Sequence, residues 1–266
     1  MGEKKKSSYT WPKTGYENHT QEMQSVTSDN DSSAEMLNLL ASLYLNPQYS
    51  DLTIICGTEV FPAHRNIVCP RSAYFARSCG GNFKEASGKI ELGDQDPIVI
   101  RKVLQFLYTG DYTPGINRDE EKEINPEQSS EEPSQDGTSP PEYQRDFTAC
   151  QFHVRMYVQA DYFQIDGLKS KTERYFRASF LDRLNRESFE AVITEIYTLT
   201  PESDDQIRDA AVALTMDNLD ILRNETEAIL LDEFLKRLPA FAADISISFL
   251  KNRGVPRKRL ASISDW

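Results

Sequence analysis

Between Asn117 and Asp146 the chain loses every pattern from which a core can be built. Ten acidic and three basic residues are set there among Pro, Ser, Gly and Gln. Like charges repel and no apolar face offsets the entropy of ordering, so residues 113–146 are expected to be a disordered acidic insertion. A solvated insertion fits this composition better than a nucleic-acid mimic or a docking site for transport factors. The apolar-patterned residues before and after it must form either two units or one interrupted domain.

The segment holds −7 of the formal charge of −12, which leaves the rest of the chain near −5. An acidic balance argues against general nucleic-acid binding, which needs a concentrated excess of Lys and Arg. No apolar run reaches the roughly 18 residues of a membrane span, and the opening MGEKKKSSYTW has no secretory apolar stretch. The expectation is an intracellular protein of cytoplasm, nucleus or both, with no membrane partner. Cys56, Cys69, Cys79 and Cys150 form no CxxC pair, so they read as small buried hydrophobes and not as disulfides or a zinc site.

Residues 1–31 are polar and aperiodic and read as a tail. A helix is expected from Ser32, where Ser32 and Glu35 have capping-box spacing and Met36, Leu39, Leu40 and Leu43 make one apolar stripe. Strands are expected at Asp51–Cys56, from Glu59 to Phe61 and from Lys89 to Leu92, with Gly57-Thr58 as a tight turn. Two short helices, 65–68 and 72–78, read as broken by Cys69-Pro70, the second stopped by Gly80-Gly81. Asp96-Pro97 opens a further helix, nearly continuously apolar and closed by Gly110. Helical pattern resumes at Phe147, breaks around Asp166-Gly167 and runs on past Tyr175. From 183 to 250 a helical extension is expected, with Phe189, Val192, Ile193, Ile196 and Tyr197 on one face and later helices at 206–223 and 225–237. Residues 251–266 read as a second tail.

The ordered block Ser50-Asp51-Leu52-Thr53-Ile54, Val60-Phe61-Pro62-Ala63-His64-Arg65, Tyr74-Phe75, Phe83-Lys84-Glu85, Ile90-Glu91-Leu92 and Phe106-Leu107-Tyr108-Thr109-Gly110-Asp111-Tyr112 closely resembles a BTB/POZ domain. Ala160-Asp161-Tyr162-Phe163-Gln164-Ile165-Asp166-Gly167-Leu168 is similar to the helical hairpin that ends such domains, in the style of fungal members. The resemblance implies an α+β BTB/POZ fold over 32–180, a small mixed sheet capped by helical hairpins, with the acidic segment inserted. Short strands interleaved with helices agree with an α+β class.

The resemblance also implies function. Such domains dimerise, with themselves or with another BTB chain, and Asp51 and Arg65 match a charged pair lining the dimer groove. A structural ion pair or a local cap is the alternative for these two residues. Phe83-Lys84-Glu85 has the hydrophobic-x-Glu form found, in members that recruit a cullin ubiquitin-ligase scaffold, before the third strand. Phe83 would fill an apolar pocket and Glu85 would accept hydrogen bonds, or Phe83 belongs to the core. His64 lacks an acid and a nucleophile at useful spacing and reads as structural. Cys150 and His153 are half a metal site without a second ligand pair and read as core. Arg257-Lys258-Arg259-Leu260-Ala261-Ser262 suits a nuclear-import patch, a kinase site or simply a solvated basic tail.

No phosphate loop, metal-ligand cluster, nucleophile elbow or triad is present in the sequence, so neither a cofactor nor enzymatic activity is expected. The expectation is a protein-interaction adaptor, in which one BTB surface dimerises or holds a cullin scaffold and the extension engages an unknown client. The rival is a BTB scaffold or an indirect transcriptional or chromatin regulator.

Overall fold

The structure is a computed structural model that describes residues 28–80, 88–93, 95–114, 148–224 and 226–252. The segment expected to be a disordered insertion and the Phe83-Lys84-Glu85 motif fall outside these residues, apart from the insertion's first two.

Strand β1 (Leu52–Cys56) alternates buried and half-buried residues, so that Leu52, Ile54 and Cys56 face one core. Gly57, at φ +57, turns the chain into β2 (Glu59–Ala63), which pairs antiparallel with Ile54 opposite Phe61. Helices α2 (Arg65–Arg71) and α3 (Ala73–Gly80) follow, and β3 (Lys89–Glu91) returns parallel to β1 with Ile90 opposite Ile54. The strand order is β2-β1-β3.

Pro70 lies inside α2, and the expected break at Cys69-Pro70 falls instead at Ser72, whose backbone is extended. A proline in the last turn removes one hydrogen bond, a small loss where the helix is already ending. The Ser72 hydroxyl accepts from the Phe75 N–H and donates to the Phe163 carbonyl, which ties this corner to the distant hairpin.

Helix α1 (Ser28–Ser42) begins a turn before the expected cap. Its stripe is only partly used: Leu40 and Leu43 pack on the core, whereas Met36 and Leu39 are exposed. Helix α4 (Pro97–Thr109) is capped by the Asp96 carboxylate, which accepts from the Ile98 N–H at 2.9 Å, and ends at Gly110 in the left-handed region, both as expected.

Helix α5 (Ala149–Tyr162) starts with a capping box between Thr148 and Gln151. The break before α6 (Asp166–Ser179) lies at 163–165, with Gln164 at φ 54, and Asp166-Gly167 form the first turn of α6 instead of the loop. Spacing decides what α5 does. Phe152, Met156 and Ala160 recur every four residues and join the sheet's core, while Cys150, Val154 and Tyr157 face a second core.

That second core belongs to the extension: α7 (Arg186–Leu199), α8 (Asp205–Asp217), α9 (Leu219–Leu222), α10 (Asp232–Arg237) and α11 (Pro239–Asn252). Phe189, Val192, Ile193 and Ile196 are buried as expected. The expected helix over 206–223 is interrupted at Asn218, and that over 225–237 shrinks to α10. Between them the N–H groups of Ile229 and Leu230 both donate to the Leu222 carbonyl, a turn that replaces helix.

Candidate protein-interaction surfaces

The first candidate surface starts at Asp51, just before β1. Its carboxylate accepts from the Arg65 backbone N–H at 2.8 Å and so caps α2, for which His64 supplies no side-chain cap. Asp51 thus serves as a local cap, and it is exposed while Arg65 is half-buried.

Behind them His64 is buried and fully engaged. Its Nε2 lies 2.8 Å from the Gln48 carbonyl, which can only accept, so Nε2 carries the proton. Nδ1, at 2.8 Å from Tyr108 Oη, then accepts the phenol proton, and Tyr108 Oη accepts from the His64 backbone N–H, also at 2.8 Å. Burial pushes the Tyr108 phenol up to about 12, so it remains a donor. This closed set of hydrogen bonds fixes the entry to α2 and gives His64 a structural occupation.

Gly88, at φ +96, marks where the chain returns after the Phe83-Lys84-Glu85 motif. A Cβ there would stand 3.2 Å from the Asp51 carbonyl oxygen and 3.4 Å from Arg65 Nη2, so both conformation and space call for glycine. The Gly88 carbonyl accepts from the Thr53 N–H at 2.8 Å. The fold therefore brings Asp51 and Arg65 to the exit of the segment bearing Phe83 and Glu85, although those two side chains are outside the described residues.

The second surface is the solvent side of α1. Met36, Leu37 and Leu39 are 58%, 57% and 57% exposed, three large apolar residues within one turn. Burying them requires a partner, and an apolar cluster of this kind marks interaction sites on soluble proteins. The sequence sets Met36 and Leu39 on one apolar stripe with Leu40 and Leu43; their exposure is legible only once the helix is docked through Leu40 and Leu43.

A polar network stitches the acidic segment's far end to its near end. Tyr112, before the segment, hydrogen-bonds through Oη to His153 Nδ1 at 2.7 Å. His153 is 5% exposed, and loss of solvation lowers its pKa to about 4, so it is neutral. Beside it, burial alone would raise the Asp111 carboxyl, but hydrogen bonds from Tyr175 at 2.7 Å, from Lys171 and from the Tyr112 N–H hold it below the usual range. Cys150 faces the other core, so it and His153 do not converge on a metal; among the described residues no cluster could hold one.

The extension is locked on by charge. Arg155 reaches Glu195 of α7 at 2.6 Å, and Lys169 bridges Asp161 at 2.6 Å and Asp204 at 2.8 Å, while Asp204 also accepts from Tyr157. These contacts span α5, α6 and the start of α8, so the extension is fixed to the hairpin. No helix among the described residues is long and apolar enough to cross a membrane.

Residues 40–124 match the family model for the BTB/POZ domain. Human Kelch-like protein 30 is 35% identical over 80 residues, covering 30% of this chain and 14% of that protein. Human Kelch-like protein 38 is 32% identical over 84 residues, covering 31% of this chain and 14% of that protein. The chain thus spans about a seventh of these relatives, 14% of their length. Among solved structures, the BTB domain of zebrafish PATZ1 aligns at 16% identity with a TM-score of 0.38, covering 61% of this chain and 100% of that one. By that family match, residues 40–124 of this chain carry a BTB/POZ domain.

Proposed function

We propose that this chain is a non-enzymatic adaptor that self-associates through its BTB/POZ domain and brings client proteins to a cullin ubiquitin ligase. The observation that carries the reading is α1: Leu40 and Leu43 anchor it to the domain while Met36, Leu37 and Leu39 face outward. Binding energy comes from such apolar anchors, each worth about 1.5–3 kcal/mol when fully buried. The Phe83-Lys84-Glu85 motif supplies the scaffold contact, and Asp51 and Arg65 line the groove of the dimer. The extension, rigidly held by Arg155 and Lys169, positions the client. All four cysteines are free, in keeping with our placement of the protein inside the cell, in cytoplasm or nucleus.

Light scattering tests self-association. Wild type is expected to give a dimer mass at micromolar concentration and Leu39→Asp a monomer mass with the same thermal melt. A wild type that stays monomeric throughout would remove α1 as the interface and favour a scaffold that pairs only with another BTB chain.

A further inference from the structure

The extension has a groove that neither the sheet domain nor α1 touches. It is a cavity of about 610 Å³ between α8–α10 on one side and α11 on the other, lined by Met216, Leu219, Leu230, Leu235 and Ile245. That size suits a site that takes a few side chains. Arg223 is the charged residue in its lining and is already paired with Asp232 at 2.7 Å. Asp217 and Asp220, both exposed, directly follow the lining residues Met216 and Leu219, so the rim there is acidic.

Helix α11 supplies one wall, and its last turns, at Ser246 and Leu250, reach the groove's lip. Asn252, the last described residue, lies two residues beyond the lining residue Leu250, and residues 253–266 follow it in the sequence. They combine Arg253, Arg257, Lys258 and Arg259 with Leu260, Ile263 and Trp266, a basic apolar sequence set next to an acidic apolar groove. Fourteen residues extend to about 45 Å, ample to turn back across it.

We propose that residues 253–266 of this same chain occupy the groove, with Leu260, Ile263 and Trp266 as apolar anchors and the Arg257-Lys258-Arg259 run against Asp217 and Asp220. The extension is then self-covered, and another protein reaches this face only by displacing the segment. The proposal is independent of the cullin reading and of dimerisation.

The chain has two tryptophans, Trp11 and Trp266, so Trp11→Phe in the full chain leaves Trp266 as the reporter. Its emission is expected to be blue-shifted and shielded from acrylamide relative to the isolated 253–266 peptide, independently of protein concentration. Leu219→Asp in the groove and, separately, Ile263→Asp in the segment should each return emission and quenching to those of the peptide. The second substitution leaves the groove's own residues unchanged, so its result does not depend on the groove variant folding. Emission matching the free peptide overturns the proposal. So does a shift unaffected by both substitutions, or one that grows with concentration and so reports a neighbouring copy.

Discussion

His153 allows the sharpest stability prediction because its environment separates folded from unfolded protein in proton affinity. The unfolded chain takes up a proton near the ordinary histidine value of 6.5, whereas in the fold loss of solvation defers protonation to about pH 4. Between these values the unfolded state binds more protons, so stability must fall as pH falls, and below about pH 4 this residue contributes no further change. The loss is about 2 kcal/mol by pH 5 and about 3 kcal/mol by pH 4. Urea unfolding of wild type and His153→Gln at pH 7, 5 and 4 isolates the effect, since every other ionisable group is common to both proteins. The wild-type minus variant difference should shrink by those amounts. A difference independent of pH, or an imidazole resonance of His153 titrating near pH 6.5, would refute the claim that burial keeps it neutral.

Two further predictions concern the site. Tyr108→Phe removes the group that accepts from the His64 N–H and donates to its Nδ1, leaving both buried, and should cost about 2–3 kcal/mol in urea unfolding with an unchanged m value. Asp51→Asn keeps an acceptor for the Arg65 N–H, so its melt should match wild type while its dimer weakens in light scattering; Asp51→Ala should lose about 1 kcal/mol of stability as well.

Local chemistry was well written in the sequence. The alternation of Leu52, Ile54 and Cys56, the Asp96-Pro97 start and the Gly110 stop each rest on rules that act within one element, and each is found in the fold. Longer-range facts were not legible. The parallel pairing of Ile54 with Ile90 and the Tyr112–His153 bond across the acidic segment join residues 36 and 41 apart with no local signal. Within the expected helical extension the bounds of α11 were not legible, because Ile245, Ile247 and Phe249 alternate as a strand would, although Pro239 at its first position was a start cue. Thr148 and Gln151 were likewise a readable capping box that the apolar pattern starting at Phe147 obscured. Residues 83 and 85 rest on family pattern alone, since they lie outside the described residues.

We propose that the segment between α3 and β3, which carries Phe83 and Glu85, recruits a cullin scaffold, and calorimetric titration of the full chain with a cullin N-terminal domain decides the matter. Binding at micromolar affinity or tighter is expected, lost in a Phe83→Ala/Glu85→Ala variant that still melts like wild type. No heat of binding with either protein, or equal binding by both, would contradict it.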